Sequence, residues 1–290
     1  MMTQTTVSLS RKRAYALPTV FTVGTLFCGY YCLMKTIQAL ALPPGSEEEA
    51  ARLYDVAAVA IGVGVFTDGM DGRIARLTDA VSDFGREIDS LADVIAFGVA
   101  PALLAVAWGV HSAGGTAPWL SATGYLVTFL YLTCGAVRLA RFNVQKNPRP
   151  KNPGRPGRRY FVGLPIPPSA GMLAAVVHFS GGQPIQNWWP GAVLWLGLIG
   201  MLGFLMISTW RYSSLKDINV LQIPSSVMVI VFATLIFLIW NFSQIVLLAM
   251  ASAFVLSGIV ARAASAISRL FRKPAGHTEP ADDPAALDRT

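Results

Sequence analysis

Long apolar runs separated by short polar stretches dominate this chain. Runs of roughly membrane length fall at about 17–41, 53–78, 84–109, 119–143, 164–180, 189–211, 223–241 and 243–264. A helix needs about 20 apolar residues to cross a hydrocarbon core some 30 Å thick. No stretch alternates with a period of two, and no 20–50-residue repeat recurs. The pattern therefore predicts an all-α fold: a polytopic integral membrane helical bundle with about eight transmembrane helices. The run at 164–180 is short and opens with Pro165, Pro167 and Pro168, which favours a tilted or broken helix. Residues 1–16 read as a polar arm, 17–265 as the transmembrane domain, and 266–290 as a disordered tail rich in Ala, Pro and Asp. Ala39-Leu40-Ala41 resembles a signal-peptide cleavage site, but the preceding run is too long for such a peptide and Lys35 interrupts it.

Composition agrees with a membrane protein. Of 290 residues, 53% are hydrophobic and 13% charged, where soluble chains carry about a quarter charged. The net charge of +7 is read by position, not as a sign of nucleic-acid binding. Across the eight spans, all of the 23 lysines and arginines except Lys35 and Arg52 fall on one side. The positive-inside bias then places both termini, and the turn after the second span, at the cytoplasmic face of the cell's inner membrane. Cys28, Cys32 and Cys134 lie in apolar runs without metal-ligand spacing, and His111, His178 and His277 are scattered. None of the six is assigned chemistry.

The polar stretch that breaks the pattern is DGMDGRIARLTDAVSDFGREIDSLAD, residues 68–93. A carboxylate at the centre of a bilayer helix costs about 2.5–3.5 kcal/mol, so four between two apolar runs need compensation. Asp68 and Asp71 are three apart, and Asp89 and Asp93 four apart, so each pair shares a helix face. A helix, a turn and a second helix would bring the faces together. Four carboxylates without histidine or cysteine suit a hard divalent cation, Mg2+ or Mn2+. Gly72, Gly85 and Ala75 leave room for close approach of a ligand or helix, and Arg76 is shaped for a phosphate. Asp79 and Asp83 read as solvated or capping residues. The competing reading is an ion network of Arg73, Arg76 and Arg86 with the aspartates.

This spacing matches, at every fixed position, the signature of the CDP-alcohol phosphotransferase family, which the chain resembles over roughly residues 15–240. The resemblance implies transfer of a substituted phosphate from a CDP-alcohol to a second alcohol, with release of CMP. It implies that Asp68, Asp71 and Asp89 bind the metal, and that Asp93 is the general base and also touches a metal. It also implies that Gly72, Ala75 and Gly85 form the cytidine-side surface, and that Arg76 faces the phosphates. With Asp68 and Asp71, these residues make up the CDP site.

Outside the signature, SLADVIAFGVAPA, VRLARFNV (137–144) and YFVGLPIPPSAG (160–171) resemble the bacterial and archaeal phosphatidylserine synthases of the family. The first span, LPTVFTVGTLFCG, is similar too but has Thr19 and Thr25 where asparagine is expected. The resemblance implies CDP-diacylglycerol as donor and L-serine as acceptor, in contact with membrane lipid. Arg138 and Arg141, three apart, are candidates for the serine carboxylate or for marking the inner boundary. The basic loop 146–159 reads as a lid or lipid contact, and Gly197, Gly200 and Gly203 as an intramolecular or homodimer contact. Two alternatives stay open. One is the same chemistry with glycerol 3-phosphate, inositol phosphate or choline. The other is a cation transporter that uses the carboxylates as its ion path.

Overall fold

The computed structural model describes the backbone of residues 3–77, 83–111, 118–146, 160–186, 188–213 and 225–270, and most side chains between 20 and 263 within them. Helices α1 (Thr3–Leu40) and α2 (Glu47–Leu77) form the first hairpin. Three glutamates, Glu47 to Glu49, fill the first turn of α2, where the helix dipole favours negative charge. The next helix is continuous but not uniform. It runs through α3 (Asp83–Asp93), a π-helical stretch (Val94–Val99), α4 (Ala100–Val106) and a second π-helical stretch (Ala107–His111). In the first π stretch the Ala100 N–H reaches the Ile95 carbonyl, five residues back. The Phe97 carbonyl within it accepts the buried Tyr131 hydroxyl at 3.1 Å.

Helices α5 (Pro118–Lys146), α6 (Ile166–Phe179), α7 (Trp189–Ile207) and α8 (Ser225–Leu270) complete the bundle. Among the described residues, six helices are long and apolar enough to cross a membrane. Three of the eight expected spans differ from the rest. Helix α6 has only 14 residues, about 21 Å at 1.5 Å per residue, too short to cross alone. The last two spans are joined without a loop inside α8. Phe242 leaves helical geometry there (φ −136, ψ 38), between the expected spans. Beyond the break the helix runs back along α6, with Ser243 beside His178 and Ser252 beside Met172.

Small residues bring the helices together. Gly29 of α1 lies directly against Ala96 of the first π stretch, and Gly64 of α2 faces Cys28 and Phe97. In lipid, close backbone approach of this kind supplies much of the helix association. Trp195 closes the other end, packing edge-on to Trp108 at 4.9 Å and donating its indole N–H to the Ala105 carbonyl. Gly203 sits on Tyr131 and Cys134, and Gly200 near Val127. These two glycines of the small-residue stripe therefore pack within the molecule, against α5.

The helical pattern gives way once. Strand β1 (Tyr160–Val162) pairs antiparallel with β2 (Arg211–Ser213), Tyr160 opposite Ser213 and Val162 opposite Arg211. Three residues are too few to reveal an alternation. Gly163 follows β1 with φ +80, and its N–H donates to the Trp210 carbonyl at 2.8 Å. A side chain there would strike the Met206 carbonyl, so this turn requires glycine.

Candidate active site

Asp68 lies near the end of α2, and Asp89 and Asp93 lie one turn apart on α3. The fold brings all three together: one carboxylate oxygen of each falls within 4.8 Å of the others, and each residue is half-buried. Asp68 is within hydrogen-bonding reach of Asp93 and feels the negative charge of Asp89. Two ionised carboxylates no more than 4.8 Å apart repel by at least roughly 3.5 kcal/mol at an effective dielectric of about 20. Two carboxylates sharing a hydrogen bond also need a proton or a cation between them. The donor set fits a divalent cation, since opposite oxygens around Mg2+ stand about 4.2 Å apart.

Asp71, Gly72, Ala75 and Arg76 continue helix α2, but their side chains lie outside the described residues. The same holds for Thr19, Arg73 and the basic loop 147–159. Gly85 is half-buried in the first turn of α3, four residues before Asp89 and so on its face.

Hydroxyl and amide groups that, apart from Thr25, the sequence did not single out hold these helices in register. The Thr67 hydroxyl donates to the Gly64 carbonyl at 2.9 Å. Its oxygen is therefore free to accept the Thr25 hydroxyl, also at 2.9 Å. Thr25 is fully buried, so this departure from the expected asparagine ties α1 to the residue preceding Asp68. On α3, the Ser90 hydroxyl donates to the Arg86 carbonyl and accepts from Asn143 Nδ2 at 2.8 Å. Asn143 thus links the end of α5 to the turn between Asp89 and Asp93. Only spatial neighbours distinguish these residues from ordinary helix hydroxyls, so sequence periodicity carried no signal for them.

The two candidate arginines separate. Arg138 is buried, 8% exposed, and close enough to feel the charges of Asp93 and Arg141. Among the described residues, its Nε has no hydrogen-bond partner. Arg141 instead directs Nη1 towards the Ile207 carbonyl at the end of α7, at 3.5 Å. The fold therefore sets one guanidinium beside the acidic cluster and turns the other towards the neighbouring helix.

A family model described as CDP-alcohol phosphatidyltransferase matches residues 15–210, covering both halves of the acidic cluster. The chain belongs to this family. It is 33% identical over 229 residues to the CDP-diacylglycerol–serine O-phosphatidyltransferase of Helicobacter pylori (strain J99), spanning 77% of this chain and 82% of the relative. The enzyme of the same description from Bacillus subtilis is 32% identical over 200 residues, 69% of this chain and 91% of the relative. That of Saccharomyces cerevisiae is 31% identical over 152 residues, 52% and 50% respectively. Family membership makes the chain a phosphatidyl-transferring enzyme and sets aside the transport reading.

Proposed function

We propose that the chain transfers the phosphatidyl group of CDP-diacylglycerol to the hydroxyl of L-serine, forming phosphatidylserine and CMP. The observation that carries this reading is the convergence of Asp68, Asp89 and Asp93 beside the buried Arg138. Relatives described as serine O-phosphatidyltransferases support the acceptor.

Asp68, Asp71, Asp89 and Asp93 would hold a divalent cation, Mg2+ or Mn2+. Such a cation would supply neutralisation of the diphosphate charge and so ease attack at phosphorus. Gly72, Ala75 and Gly85 line the cytidine side, and Arg76 faces the phosphates. Asp93 takes the proton of the serine hydroxyl. The oxygen then bonds to the diacylglycerol-linked phosphorus, and the bond to the second phosphorus-bearing group breaks to release CMP. Arg138 holds the serine carboxylate, because a buried guanidinium gains most from an anionic partner. Arg141 stiffens the end of α5. The one-sided distribution of lysine and arginine supports a site at the cytoplasmic face of the inner membrane.

The test is an acceptor comparison. Membranes carrying the chain are given labelled CDP-diacylglycerol with L-serine, glycerol 3-phosphate, inositol phosphate or choline. Lipid product and CMP are expected with serine. Product with another alcohol and none with serine refutes the assignment.

A further inference from the structure

A second constellation lies at the opposite end of the bundle. Asp55 is 13 positions before Asp68 on α2, about 20 Å along the helix. Its Oδ1 is 2.6 Å from Nδ1 of His178 on α6, and His178 Nε2 is 2.9 Å from the Ser243 hydroxyl on α8. Three helices thus contribute a carboxylate, an imidazole and a hydroxyl in a linear chain. A carboxylate only accepts, so Asp55 places the ring proton on Nδ1 and leaves Nε2 to receive the Ser243 proton.

The local structure holds each member. Helix α6 ends in a double-glycine cap: Gly182 N–H returns to the Val177 carbonyl and Gly181 N–H to the His178 carbonyl, both at 2.9 Å. Both glycines have positive φ, and Gly182 packs against the α2 backbone at Ala51 and Asp55, where a side chain would collide. His178 is thereby fixed against Asp55, with its side chain 11% exposed.

Ser243 differs from most helical hydroxyls among the described residues. Those of Thr36, Ser90, Thr123, Thr128, Thr133 and Ser257 bond back to a carbonyl three or four residues earlier. Ser243 follows the break at Phe242, and its hydroxyl turns to the imidazole instead. It lines a recess of about 210 Å³ with Asn241, Phe242, Gln244 and Ile245.

We propose that Asp55, His178 and Ser243 form a second reactive site, with Ser243 an activated nucleophile towards carboxylic esters. A hydroxyl on a base that is itself oriented by a third group is the arrangement that activates serine. The Ser243 oxygen bonds to the ester carbonyl carbon while its proton passes to His178 Nε2. The alcohol leaves with that proton. Water, deprotonated by His178, then releases the acid and restores the hydroxyl. This chemistry is independent of the phosphatidyl-transfer reading.

The test uses the full chain in detergent, with a fluorophosphonate probe and p-nitrophenyl butyrate as separate substrates. The probe forms an oxygen–phosphorus bond at Ser243 as fluoride leaves, and peptide mass spectrometry locates it. The wild type is expected to carry the adduct at Ser243 and to hydrolyse the ester. Ser243→Ala removes both, His178→Asn slows both by about a hundredfold, and CMP release persists in Ser243→Ala. CMP release shows that each preparation is folded. No Ser243 adduct in protein that releases CMP overturns the proposal, leaving the trio as a pin between helices. So does labelling unchanged in His178→Asn, or an adduct without ester turnover.

Discussion

Replacing Gly29 with alanine tests whether the packing of α1 sets the position of the helix that carries Asp93, the proposed base. A Cβ built at Gly29 lies 2.6 Å from the Ala96 Cα and 2.9 Å from its Cβ, whereas ordinary contact begins at 3.4 Å. The helices must therefore separate by about 0.8 Å, the difference of these distances, against an overpacking cost of about 1–3 kcal/mol. Ala96 is three residues beyond Asp93 in one continuous helix, so the displacement passes to the carboxylate. A misplacement of about 1 Å at a reacting group costs on the order of a hundredfold in rate. Gly24→Ala is the control, since nothing lies within 4 Å of its added methyl, and it should gain up to about 1 kcal/mol of helix stability. The assay is CMP release at saturating substrates and cation, with thermal unfolding in detergent alongside. The expected result is a fall in kcat of ten- to a hundredfold for Gly29→Ala with the fold retained, and unchanged activity for Gly24→Ala. Folded Gly29→Ala with kcat within twofold of wild type would refute the claim that this contact positions Asp93.

Three further outcomes are expected. Asp93→Asn removes the proton acceptor and should lower CMP release by about 10²–10⁴-fold while the protein still unfolds at a similar temperature; near-normal turnover would reassign the base. Chelation of divalent cations should abolish transfer, and restoring Mg2+ or Mn2+ should recover it; activity that survives exhaustive chelation would contradict the carboxylate cation site. Arg138→Lys loses the bidentate fork and should raise KM for serine at least about tenfold with little change for CDP-diacylglycerol. An equal rise for both substrates would point to a general distortion instead.

The sequence by itself determined the material of the bundle, the acidic stretch and the break in the last apolar run. Apolar length follows from bilayer thickness, and carboxylates within such runs are too costly to be incidental, so both are written in one dimension. Asp68 with Asp71, and Asp89 with Asp93, could be paired from helical spacing alone, since residues three and four apart share a face; that Asp68 meets Asp89 and Asp93 rests on how the two helices pack. The boundary between the last two runs falls at Phe242 for the same reason, as polar Asn241 and Ser243 interrupt the apolar run there. Tertiary structure decided the rest. It buried Arg138 beside Asp93 but turned Arg141 to the Ile207 carbonyl, a choice between two arginines three positions apart on one helix. It joined Thr25 to Thr67, Asn143 to Ser90, Asp55 to His178, and His178 to Ser243, pairs separated by 42, 53, 123 and 65 positions. Hydrogen bonds between helices depend on rotation and axial offset, and a helix's own period says nothing about either until its neighbours are in place.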